Sequence, residues 1–167
     1  GSRTDVLYHC LFPFDDKGGG KAIMDMKFVQ AQKYKYIVGA FPYSGRMRQY
    51  IDRFRKLNNQ RTPFTLLDAA VHKTTHQGCK GKPNTGTVAI FYVLRRPIER
   101  LFVTGITFFR TAYYEGYRAG DHSLRHVQGK FSKDSHTCFK NQFQYFKDSA
   151  AEDPRVILDE YLTREVS

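Results

Sequence analysis

From Pro83 to Tyr114 the chain reads PNTGTVAIFYVLRRPIERLFVTGITFFRTAYY, and this run leaves few folds open. Asn84-Thr85-Gly86-Thr87 supplies capping side chains and a helix start whose first amides have no partner within the helix. Val88 to Leu94 is apolar almost all round, as a buried helix would be. Arg95-Arg96-Pro97 ends it, because the residue before a proline avoids helical geometry. Leu101-Phe102-Val103 is a short apolar run typical of a covered parallel strand, and Gly105 stands where that strand should stop. The polar and aromatic residues beyond it then lie at the strand's carboxyl end, where open α/β sheets bind ligands.

The flanking sequence extends the alternation. Strands are expected over Asp5 to Leu11, Lys35 to Ala40, Thr62 to Leu67 and Arg155 to Leu158. Helices are expected over Ala22 to Gln32, Asp68 to Gly78 and Asp159 to Val166. Ser44 opens an amphipathic helix in which Met47, Tyr50, Ile51, Phe54 and Leu57 recur at i, i+3, i+4, i+7 and i+10. Arg46, Arg48, Arg53, Arg55 and Lys56 crowd its other positions. His136 to Lys147 forms a further helix with Phe139, Phe143 and Phe146 inward. Phe12 to Gly20 is loop by its proline and glycines, and Glu115 to Ser135 is an irregular polar segment of the kind that forms lids or binding loops. Strand and helix alternate throughout, which argues an α/β, doubly wound fold with a mainly parallel sheet and helices on both faces. At 167 residues one domain, 1–167, suffices to bury a core.

Cys10, Cys79 and Cys138 are too few and too scattered for a disulfide framework or a zinc site. No run approaches the roughly 18 apolar residues of a membrane span, and Arg3 and Asp5 interrupt any signal-peptide core. The net charge of +11 attracts anions such as nucleic acid, acidic lipid, a nucleotide or an acidic sugar. On the 44–58 helix the arginines offer a basic surface for an anionic membrane or another polyanion.

Familiar chemical motifs are missing. The sequence has no P-loop, no G-x-G-x-x-G, no G-x-S-x-G and no D-x-D. His72 and His76 have the i, i+4 spacing of helical metal ligands but lack a glutamate beside them and a third ligand, and Asp15-Asp16 reads as a solvated turn, so no metal is assigned. What remains suits an anionic leaving group. Amides at Thr85 to Thr87 start a helix. Hydroxyls of Thr107, Thr111, Tyr113, Tyr114 and Tyr117 follow a strand, and His122, His126 and His136 come after. Amides and phenols to hold a phosphate, with a neutral histidine to take a proton, make a group-transfer site.

The blocks NTGTVAIFYVL and IERLFVTGITFFRTAYYEGY, followed by Ser135-His136, an amphipathic helix and a short strand, resemble the CMP-sialic-acid-dependent sialyltransferases and their bacterial and viral-type relatives. The similarity runs from Gly1 to about Val166. It implies a Rossmann-like domain and an inverting, metal-independent transfer from a CMP-sugar donor, the co-substrate, to a glycan acceptor. By that resemblance Asn84, Thr85, Gly86 and Thr87 contact the CMP-sugar, and Gly105, Thr107 and Phe109 lie beside the nucleotide. Tyr113 or Tyr114 binds phosphate, and His136 is the catalytic base. The family's amino-terminal Gly-Asn-Gly-type loop has no counterpart, so an amino-terminal nucleotide-binding segment is expected to be missing from this chain. Thr107 and Phe109 stand where some relatives carry Asp and Tyr, which keeps a CMP-Kdo-type donor beside CMP-sialic acid. Two other classes stay open. A basic nucleic-acid-binding module rests on the charge and the 44–58 helix but leaves NTGT and TGITFF unexplained. A catalytically inactive transferase-fold scaffold fits the missing loop.

Overall fold

The computed structural model describes residues 4–11, 26–45, 47–112, 123–125 and 139–167. The chain falls into two compact units, Gly1–His72 and Lys73–Ser167.

In the first unit β1 (Val6–His9), β2 (Tyr36–Gly39) and β3 (Phe64–Leu66) form a parallel sheet in the order β1-β2-β3. Leu7 pairs with Ile37 and Val38 with Thr65, which fixes the register. Parallel neighbours need crossovers, and α1 (Met26–Ala31) and α2 (Met47–Asn58) supply them. Leu11, Val29, Ile37, Ile51 and Phe54 make the core of this unit, with Met47, Phe64 and Leu66 packed against it. Phe54 is fully buried and lies 4.7 Å from the Phe64 ring, a burial that contributes about 2–3 kcal/mol.

The apolar stripe of α2 departs from expectation at its end. Leu57 is 42% exposed, and Asn58 is buried in its stead. The helix stops there, and Asn58 closes it: its Nδ2 donates to Thr62 O at 2.8 Å, and its Oδ1 accepts from Thr62 N at 3.3 Å. A buried amide with both ends bonded holds the turn into β3.

α3 (Ala69–Gly78) carries the unit boundary. The second unit continues with α4 (Thr85–Leu94), β4 (Leu101–Val103), α5 (Phe139–Phe146), a π-helical turn over Lys147–Ala151, β5 (Val156–Leu158) and α6 (Glu160–Val166). β4 and β5 pair in parallel, Leu101 with Val156 and Val103 with Leu158. Ile90, Val103, Phe108, Phe146, Ala150 and Leu162 form the core of this unit. The helix expected over His136 to Lys147 runs past its expected end as the π-helical turn, which brings Ala150 into the core.

α4 is buried on one side only, at Thr87, Val88 and Ile90. On another side Phe91 stacks on Tyr145 with ring centroids 4.5 Å apart. Tyr92 meets the guanidinium of Arg96. The Arg155 guanidinium covers the end of the helix, donating to Leu94 O at 2.9 Å and to Arg96 O at 3.3 Å, while Asp153 holds it at 2.7 Å.

The architecture is thus mixed α/β with small parallel sheets. Among the described residues no helix is long and apolar enough to cross a membrane.

Candidate functional site: the start of helix α4 and the loop after strand β4

Asn84 is extended (φ −75°, ψ 164°) and caps α4, its Oδ1 accepting from the Thr87 amide at 2.8 Å. Its carbonyl takes the Val88 amide at 3.1 Å. The amides of Thr85 and Gly86 are then the two that the helix cannot bond for itself. They carry the positive end of the helix dipole. A Cβ on Gly86 would lie 3.3 Å from Asn84 Oδ1 and 3.3 Å from Ile106 Cδ1. The helix start and the loop after β4 therefore touch, and the glycine permits that approach. The two sequence blocks at 84–87 and 105–107 meet in space.

Thr87 is part of the frame of this site. It is 0% exposed, and its hydroxyl donates to Gln142 Oε1 at 3.1 Å. The same oxygen accepts from the Asn84 amide at 2.9 Å. Gln142 came from no sequence block, yet position 142 falls on the inward stripe of Phe139, Phe143 and Phe146 at helical spacing. A glutamine on an apolar stripe must find partners, and that is the signal by which it can be read.

Gly105 turns the chain at φ +71°, a conformation that disfavours any side chain. Its amide donates to Asp159 Oδ2 at 3.1 Å. Asp159 also caps α6, its Oδ1 accepting from Leu162 N at 2.8 Å. Those amides, foremost Leu162, together with the Thr104 hydroxyl hold its carboxyl below the ordinary range. Asp159 thus ties the loop after β4 to the start of α6, and sequence blocks did not reveal it as part of the site.

Thr107 closes the next turn. Its carbonyl accepts from Arg110 N at 2.9 Å, and its Oγ1 accepts from the Thr111 hydroxyl at 3.0 Å. Phe108 and Phe109 are both left-handed, at φ 49° and 60°, which costs on the order of 1–2 kcal/mol per residue. Phe108 is 2% exposed and packs on Phe146 and Phe143 at 4.9 and 5.6 Å, so the core holds this turn in place. Phe109 is half-buried beside it. Arg110 pairs with Glu165 at 2.7 Å and lies over the Phe143 ring at 4.4 Å.

No family model, no curated protein and no solved structure matches the chain.

The geometry therefore brings together Asn84, Thr85, Gly86 and Thr87 with the loop of Gly105 and Thr107. Tyr113, Tyr114 and His136 lie outside the described residues. Among the described residues no group of three or more His, Cys, Asp or Glu side chains is arranged to hold a metal ion. What the arrangement offers chemically is a helix N-terminus set against a post-strand loop, the setting in which phosphates are bound.

Proposed function

We propose that this protein is an inverting, metal-independent glycosyltransferase that moves sialic acid, or a related acidic sugar such as Kdo, from a CMP donor to a glycan hydroxyl. The observation that supports it most is the contact between the start of α4 and the loop after β4, at Gly86 and Ile106. It places the amides of Thr85 and Gly86 at a strand's carboxyl end, suited to the phosphate of CMP. The resemblance of the same two blocks to sialyltransferases supplies the donor class. A Rossmann-like, doubly wound arrangement of the parallel strands belongs to the same proposal.

In this reading the acceptor hydroxyl oxygen attacks the anomeric carbon as the bond from that carbon to the CMP phosphate breaks. The configuration inverts, and the hydroxyl proton passes to His136. That histidine must be neutral to accept it. Negative charge grows on the departing phosphate, and preorganised amides lower the barrier by meeting it.

Calorimetric titration with CMP, with UMP and AMP as controls and no added metal, tests the nucleotide class. Binding selective for CMP is the expected result. Equal affinity for all three, or none, overturns the proposal.

A further inference from the structure

Gln142 is 2% exposed and sits among phenylalanines on α5. Its Oε1 accepts from the Asn84 amide at 2.9 Å and from the Thr87 hydroxyl at 3.1 Å. Both lone pairs of that oxygen are thereby engaged. The chain thus brings a buried, uncharged amide to a helix N-terminus.

Charge makes the choice of residue informative. Two donors converge on one acceptor at the positive end of a helix, and a carboxylate would satisfy both and gain from the dipole as well. Glutamate has the same shape as glutamine. A glutamate here would cap the helix electrostatically and occupy the field that the Thr85 and Gly86 amides produce. The neutral amide holds the same two groups and leaves that field for a ligand.

We propose that Gln142 is the positioning residue of the nucleotide site. It fixes the start of α4 from behind without neutralising it, and so keeps the positive end of the helix available to a phosphate. This inference rests on the nucleotide-binding reading above.

Gln142→Glu, measured at pH 8, separates positioning from structure. Both accepting bonds survive, so the melting temperature is expected at or above that of the unaltered chain. Affinity for CMP is expected to fall roughly tenfold or more, because a fixed negative charge stands at the helix start that meets the phosphate. Affinity for cytidine, which has no phosphate, is expected to stay the same. Thr87→Val provides a second line, since it keeps its shape and removes one of the two donors to Gln142. It is expected to weaken CMP about threefold and leave cytidine unchanged. Should Gln142→Glu fail to fold, Thr87→Val decides. Equal CMP affinity in the variants and the unaltered chain overturns the assignment while leaving nucleotide binding intact. So does a parallel loss for CMP and cytidine, which marks a distorted site. Failure of the unaltered chain to bind CMP removes the reading on which the inference rests.

Discussion

Asp159 shows how much one side chain organises in the second unit. Its carboxylate caps α6 through Leu162 and reaches back to the Gly105 amide in the loop after β4. Both bonds are stronger to the ionised form, and, with Leu162 foremost and the Thr104 hydroxyl beside them, they hold the carboxyl below its ordinary range. A folded-state pKa below the unfolded one means that the group adds stability in full above the unfolded carboxylate range. That contribution is lost as the pH falls through the folded value. Asp153, held to about 2 by Arg155, follows the same sign. Asp159→Asn keeps a capping side chain but removes the charge. It is expected to lower the melting temperature near pH 7 and to flatten its decline between pH 5 and pH 2.5. An acid limb as steep as that of the unaltered chain would show that the capping carboxylate does not titrate with folding. The residue scale is also where sequence reading was least complete. Asn84 was legible because a cap is a local event between residues three apart. The partner of the Thr87 hydroxyl was not legible, because Gln142 lies 55 residues away and no local pattern tells which way a hydroxyl turns.

At the scale of elements the expected order of strands and helices matches the observed one closely, since period and punctuation are properties of short windows. Misreadings arose where an element ends against another. Leu57 has the right spacing for the inward face of α2, yet the helix finishes one residue later and Asn58 takes the buried place. The turn over Lys147–Ala151 has π spacing, which a 3.6-residue template does not register. Close approach is equally hidden. Gly78 ends α3, and a Cβ there would stand 2.2 Å from the Tyr145 ring. That ring is held on its other contact by Phe91 at 4.5 Å, so it has little room to withdraw. Gly78→Ala is therefore expected to destabilise the fold by about 3 kcal/mol, at the upper end for overpacking, although alanine is the better helix former. Shortening the obstacle with Tyr145→Leu should return part of the loss. A double-mutant cycle in urea reads the coupling, and two strictly additive effects would place the cost elsewhere.

On the scale of the whole molecule, alternation along the chain revealed parallel strands but not their grouping. Among the described residues the strands pair as three and two, because partner choice is set by crossovers and packing rather than by any local period. Charge is a different whole-molecule property, legible from composition, and it leads to a prediction about α2. The helix exposes Arg48, Arg53, Arg55 and Lys56, with Asp52 its one acidic residue. Asp52 is engaged by Arg55 at 3.5 Å and by the Tyr43 hydroxyl at 2.8 Å. The guanidiniums of Arg48 and Arg55 lie 5.4 and 5.3 Å from the Tyr43 ring, which gathers positive charge around a half-exposed aromatic. Leu57 is exposed at the end of the same helix. Basic residues near an anionic bilayer contribute about 1 kcal/mol each, and an aromatic ring suits the interface. We therefore propose that α2 faces an anionic membrane surface, and vesicle flotation tests it. Vesicles with phosphatidylserine should retain the chain at low salt, and neutral vesicles should not. Retention should fall once the Debye length shrinks to about 3 Å near 1 M salt. The double variant Arg48→Glu, Lys56→Glu reverses two exposed charges without touching Asp52 and should abolish retention with the fold intact. Retention of that variant at the level of the unaltered chain would move the contact off α2. Preference for a short RNA over the vesicles, with a steep salt dependence, would make the partner a nucleic acid.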